Sequence, residues 1–184
     1  YATSTAVLNW GVPAGTSAIY LSFDKRSNGV GVNPYPASQK ERIIRDIKDG
    51  VWYFHLTKEQ TIGTRETVSY RIAVDTVNPT FTGISESPRT DHSVPNVGIM
   101  ITASDTGSGI DHYEFILDEG KPSLWTDDGS HTRVLSGVTV GTHALVVVAV
   151  DRAGNRASEH LSFTVDNLPT PALTVLNTAF IEGD

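Results

Sequence analysis

A chain of 184 residues with 14 Lys and Arg against 21 Asp and Glu carries a formal charge of −7 and a pI near 5.3. That balance speaks against nucleic acid, which requires a clustered basic footprint. The absence of cysteine excludes disulfides and thiolate metal sites and leaves the redox compartment open. No apolar run reaches the ~18 residues a membrane helix needs, and the opening YATSTAVLNW lacks the basic and apolar regions of a signal peptide. The chain is expected to be a mature product or an excised piece.

Short runs rich in Val, Thr, Ile and Tyr, punctuated by Gly, Pro, Asn and Asp, predict an all-β chain. In chain order, strands are expected at Thr5–Trp10, Ser17–Asp24, Glu41–Ile44, Val51–Thr57 and Thr67–Asp75, with a loop over Ser27–Ser38. The stretch Ser38–Lys48 also fits an amphipathic helix, because Ile43, Ile44 and Ile47 recur at helical spacing among charges. Further strands are expected at Thr80–Glu86, Val97–Ser104, Ile110–Asp118, His131–Leu135, Thr142–Val150 and Ala157–Val165, with Trp125 on a short strand or loop. Alternation in Ile110–Asp118 sends Tyr113, Phe115 and Leu117 to the core. In Thr142–Val150 both faces are apolar, so this strand is either central and covered or part of a contact surface.

Two of these stretches align without a gap. Gly50–Asp75 (GVWYFHLTKEQTIGTRETVSYRIAVD) matches Gly141–Asp166 (GTHALVVVAVDRAGNRASEHLSFTVD), with Gly50 on Gly141, Phe54 on Leu145, Gly63 on Gly154 and Asp75 on Asp166. Each copy reads as one hairpin with a Pro-containing exit, and the chain is therefore a tandem. The predicted domains are 1–75, 76–167 and a remainder, 168–184. Each unit has the size of one β-sandwich.

No catalytic pattern is present: there is no G-x-S-x-G elbow, no H-E-x-x-H and no phosphate-binding Gly loop with its Lys. The histidines at 55, 92, 112, 131, 143 and 160 include no helical i, i+4 ligand pair. They read as core or surface residues, with His143, aligned to Trp52, at the edge of the core.

The segments LNWGVPAG, IYLSFDK, DIKDGVWYFHL and YRIAVDTVNP of the first unit resemble the fibronectin type III-like modules of large bacterial surface proteins. The second unit, with ASDTGSGIDHYEFILDEG and VVVAVDRAGN ahead of LSFTVDNLP, is similar to bacterial immunoglobulin-like repeats. The resemblance implies two tandem Greek-key β-sandwiches on the bacterial cell surface, acting as a spacer, stalk or adhesive array. In such a sandwich the Gly-rich loop Asp105–Asp111 and the turn Asp151–Asn155 share the end that faces the preceding unit. Asp75 joins them from the linker, so Asp75, Asp105, Asp111, Asp151 and Asn155 form a candidate calcium site. The same residue types also serve as ordinary turn formers. Tyr53 and Trp125 offer a carbohydrate-stacking platform if they share a face, and otherwise pack in the cores.

The first unit lacks the opening strand that a sandwich of this kind needs. Pro171-Ala-Leu-Thr-Val-Leu176 meanwhile repeats the pattern of Pro79-Thr-Phe-Thr-Gly-Ile84, the opening of the second unit. The tail is either the start of a third domain or a donor strand, presenting Pro171, Leu173, Val175 and Leu176 to acceptor residues Val7, Leu8 and Trp10 of a neighbouring copy. The expected partners are adjacent Ig-like domains or copies of the chain, joined through the termini, with a glycan or cell-surface ligand as a further possibility. The sequence therefore reads as a non-enzymatic extracellular module, with a filament subunit and a carbohydrate-binding module as the alternatives.

Overall fold

The computed structural model describes residues 1–168, and the strands it contains run in this order: β1 (Ala6–Asn9), β2 (Thr16–Asp24), β3 (Asn33–Tyr35), β4 (Glu41–Ile44), β5 (Gly50–Gln60), β6 (Arg65–Val74), β7 (Thr80–Glu86), β8 (Val97–Ser104), β9 (Ile110–Leu117), β10 (Ser123–Trp125), β11 (Thr132–Leu135), β12 (Gly141–Asp151) and β13 (Arg156–Val165). In the first unit a two-stranded sheet, β1-β4, faces a four-stranded sheet ordered β3-β2-β5-β6. In the second a three-stranded sheet, β11-β8-β7, faces a four-stranded sheet ordered β10-β9-β12-β13. All strand pairs are antiparallel. The tail at 169–184, including the donor-strand residues Pro171, Leu173, Val175 and Leu176, lies outside the described residues.

Period-two alternation sorts side chains between core and solvent, as pleated strands require. Tyr113 and Phe115 of β9 are buried, as are Val97, Ile99 and Ile101 of β8. The central strand β12 lies between β9 and β13 and buries Leu145, Val147 and Ala149 against β8 and its neighbours. Its second apolar face is half-buried at Val146 and Val148 and buried at Val150, so of its two expected roles it takes the central one. The first unit builds a smaller core around Ile19, Leu21, Ile47, Phe54, Ile72 and Val74.

One local expectation is corrected and two alternatives are decided. The predicted loop Ser27–Ser38 contains β3, a short edge strand whose Pro34 sits where no further partner needs its missing donor. Ser38–Lys48 forms no helix: Glu41–Ile44 pairs with β1, and a turn through Asp46, at φ 54°, brings Ile47 back into the core. The three-residue spacing of Ile44 and Ile47 reflects a strand followed by a turn. Trp125 ends β10 and packs into the second core.

The repeat extends beyond the hairpins. Ile47 N–H donates to the Ser4 carbonyl (2.9 Å) as Val138 N–H does to that of Pro95 (2.9 Å). Asp75 N–H donates to the carbonyl of Tyr1 (3.1 Å) as Asp166 N–H does to that of His92 (2.9 Å). Residues 1–75 and 92–166 therefore share one frame, with two differences. The stretch from the start of β8 to the start of β9 is three residues longer than its counterpart from β1 to β2, and among the described residues nothing in the first unit corresponds to β7. Where β7 pairs with β8, the matching edge of β1 carries no strand among the described residues.

Candidate functional site

The β8–β9 loop reaches back to the linker between the units. Gly107 lets it close: a Cβ there would overlap the carboxyl carbon and both oxygens of Asp75. With no side chain in the way, Ser108 N–H donates to Asp75 Oδ2 (2.5 Å). Val77 N–H donates to Asp75 Oδ1 (3.1 Å), and Asn155 Nδ2 donates to the Asp75 carbonyl (2.9 Å). On the other side of the linker, Thr76 donates from its amide and its hydroxyl to Asp49 Oδ1 (3.1 Å each). The connection is thus fastened to the first unit by Asp49 and to the second by Ser108 and Asn155.

This arrangement brings Asp75, Asp105 and Asp151 together, with one carboxylate oxygen from each lying within 4.8 Å of the others. Asp75 and Asp151 are buried. Asp151 is held by its own turn, Oδ1 accepting from Gly154 N–H (2.6 Å) and Asn155 N–H (2.8 Å), and Oδ2 from Asn155 Nδ2 (2.7 Å). Asp105 Oδ2 accepts from Gly107 N–H (2.8 Å), while its Oδ1 is sealed from solvent with no hydrogen-bond partner. Burial pushes the acidity of Asp75 toward the neutral form, but hydrogen bonds from Ser108 and Val77 outweigh it and hold the carboxyl below its ordinary range. An anionic, oxygen-rich pocket of this kind suits a hard cation such as calcium.

Two expected ligands are corrected. Asp111 stands apart: its exposed carboxylate pairs with Nδ1 of His112 (2.7 Å) at the start of β9. Asn155 reaches the cluster but turns its NH₂ toward it, donating to Asp75 and Asp151 where an oxygen ligand was expected. Tyr53 and Trp125 are not brought together either. Tyr53 stacks on His55 in the first unit (centroids 6.3 Å apart), and Trp125 packs on Tyr113 and Phe115 in the second (5.6 and 5.9 Å). Val7, Leu8 and Trp10 line one apolar groove along the first unit.

The expected core-edge residue His143 is almost fully buried, with Nδ1 2.6 Å from Asp118 Oδ2 and Nε2 2.8 Å from the Thr139 carbonyl. With acceptors on both nitrogens the ring is satisfied as the cation, and the bonds to Asp118 and then Thr139 hold its pKa above the ordinary value. Sequence reading missed this pair and missed Ser108. The only available sign of Ser108 was its place in a Gly-flanked loop, DTGSG.

Among the described residues no helix is long and apolar enough to cross a membrane. No known family profile and no curated protein matches the sequence. Solved structures do match. The fibronectin(III)-like modules of CbhA from Clostridium thermocellum share 14% identity at a TM-score of 0.58, over 94% of this chain and 92% of theirs. A two-domain fibronectin type III segment of chicken tenascin (19% identity, TM-score 0.39, 88% and 93% covered) aligns more loosely. So does the central fibronectin-III array of RIM-binding protein (13% identity, TM-score 0.37, 92% and 66% covered). Identity this low carries the fold alone, and with the CbhA modules as the guide the chain is a tandem of two fibronectin type III-like β-sandwiches.

Proposed function

We propose that the chain is a non-enzymatic structural segment of an extracellular bacterial surface protein, two sandwiches in series that hold whatever they carry at a set distance. The junction carries this reading. A linker that passes directly from β6 to β7 is tied to the first unit through Asp49 and to the second through Ser108 and Asn155, and Pro79 biases Asn78 to an extended form. A spacer works by resisting bending, and this joint has the bonds to do so.

The chain has no cysteine, so paired labels can be introduced directly, as Arg71→Cys in the first unit and Glu159→Cys in the second. Pulsed electron spin resonance should return one narrow inter-unit distance. A broad distribution in the parent sequence would defeat the spacer reading.

A second reading is supported by the orphaned Oδ1 of Asp105 beside two buried carboxylates: the junction takes up calcium, which locks it. Calcium added to metal-free protein should raise the melting temperature progressively, by linkage to the folded state, and Asp105→Ala should abolish the rise. An unchanged melt at millimolar calcium would dispose of the site and leave the spacer reading intact.

A further inference from the structure

The loop between β2 and β3, residues 25–32, crosses the outer face of the four-stranded sheet of the first unit and is held at both of its ends. Arg26 N–H donates to Asp24 Oδ1 (2.7 Å), the Val30 carbonyl accepts from Ser22 Oγ (2.6 Å), and Gly31 N–H donates to Thr57 Oγ1 (2.8 Å). Asn28 and Gly29 lie between these ties. Among the described residues neither the Asn28 carboxamide nor the Gly29 N–H makes a hydrogen bond, and Asn28 is exposed on a turn outside the strands. Gly29 is pressed against the ring of His55, which is 0% exposed: a Cβ on it would lie 2.5 Å from Nε2. That nitrogen is sealed from solvent without a hydrogen-bond partner, 3.5 Å from Asp24 Oδ1.

Asn28 is the one asparagine of the chain that precedes glycine, and the matching connection of the second unit, residues 118–122, contains no asparagine. Glycine leaves its own amide nitrogen unhindered and its backbone free to turn. We propose that Asn28 and Gly29 form a self-modification site, at which the chain converts its own side-chain amide to isoaspartate and aspartate and thereby unseats the loop from His55. The Gly29 nitrogen loses its proton to solvent base and attacks Asn28 Cγ. The Cγ–Nδ2 bond breaks, the leaving nitrogen takes up a proton and departs as ammonia, and a cyclic succinimide remains. Water then opens the ring: cleavage at Cγ leaves an aspartate, and cleavage at the main-chain carbonyl carbon leaves an isoaspartate. Isoaspartate routes the main chain through Cβ, adding one atom to it between Arg26 and Val30, both of which are tied down. Gly29 has no spare room against His55, so the lengthened loop must bulge outward. The new carboxylate also joins that of Asp24 on the same short loop, and like charges repel. The core of the unit, on the opposite face of the sheet, is left in place. The inference does not depend on the spacer reading, because it concerns a surface away from the junction.

The full chain is kept folded in mildly alkaline buffer, beside a sample in concentrated urea and an Asn28→Ser variant, and followed by peptide mass mapping and amide hydrogen exchange. Because no hydrogen bond shields the Gly29 nitrogen, conversion at position 28 should be less than about tenfold slower in the folded chain than in urea. The isoaspartate form, isolated by ion exchange, should exchange the Gly31 amide about tenfold faster or more than the parent does, as its bond to Thr57 is released, while the amides that pair β5 with β6 keep their protection. Asn28→Ser should show neither change. Conversion slowed more than about tenfold by folding would mean that the loop must open first, and overturns the proposal. So does an isoaspartate form whose Gly31 amide exchanges as in the parent, because the loop then stays on His55. Loss of the same protection in Asn28→Ser would trace it to another residue and overturns it as well.

Discussion

Gly107→Ala isolates the clamp at the junction. The new Cβ would lie inside 3.0 Å of three atoms of the Asp75 carboxyl group, so the loop must withdraw by roughly 1 Å to reach ordinary contact, near the limit at which a strong hydrogen bond still holds. The bond from Ser108 N–H to Asp75 Oδ2 is then lost. A hydrogen bond to a charged group is worth about 1.5–3 kcal/mol, and its loss leaves Asp75, only 5% exposed, with one buried oxygen short of a donor. A destabilisation of about 2–3 kcal/mol is expected. At a urea dependence of roughly 1–3 kcal/mol per molar, the midpoint should fall by about 0.7–3 M. The overlap exists only while the carboxylate is there, so Gly107→Ala should cost much less in an Asp75→Ala background, with a coupling energy above ~1 kcal/mol where independent sites add to within roughly 0.5 kcal/mol. Urea melts of the four chains, followed by tryptophan fluorescence, measure the cycle. A Gly107→Ala midpoint equal to the parent's, or additive costs, would show that the loop does not close on Asp75.

Three further outcomes test the cores. Because the folded-state pKa of His143 lies above the unfolded value, its contribution is fully present below the ordinary histidine value of 6.5 and is lost as pH rises through the raised one; the melting temperature should fall over that window, and His143→Gln should flatten the slope. Phe115→Ala removes a side chain 2% exposed, packed on Trp125 and capped by the Arg133 guanidinium, and should cost about 3–5 kcal/mol by chemical denaturation, with the Trp125 signal reporting the loss. Gly31→Ala would drive a Cβ into the backbone carbonyl of Tyr20, which cannot swing aside as a side chain can, and disturb the Gly31 N–H bond to Thr57 Oγ1; a loss of about 3 kcal/mol is expected in urea, whereas Gly11→Ala meets no atom within 4 Å and should be silent.

The strands were legible in the sequence because alternation records burial: Glu41–Ile44, Thr80–Glu86 and Val97–Ser104 were bounded to the residue. Ser38–Lys48 left a helix open beside that strand, because two isoleucines three apart satisfy a helix as well as a strand that turns. Asp75, Asp105 and Asp151 could be placed at the end of the second unit that faces the first from the sandwich topology that the resemblance implies. Which carboxylate turns inward could not, and Asp111 and Asn155 show why: each is close in sequence to the cluster, yet one pairs with the adjacent His112 and the other presents its amide hydrogens. Side-chain direction in a turn follows local hydrogen bonds that composition does not encode. The Tyr53 and Trp125 platform failed for the opposite reason, since their separation into different units is a matter of topology.

The layout of the second unit determines how it meets a pull along the chain. β7 enters at the junction end, where Thr80 pairs with Ser104, and β13 leaves at the opposite end, where Val165 pairs with Gly141. Tension between these two points runs parallel to the strands, so the β7–β8 ladder is loaded in shear: its bonds share the force at once and cannot be peeled one by one. Arg89 adds a cross-tie just beyond β7, donating to the carbonyls of His92, Val94 and Thr164, the last on the exit strand. Rupture then requires the whole strand to slide, and the unit stays folded up to the force at which that ladder gives way together.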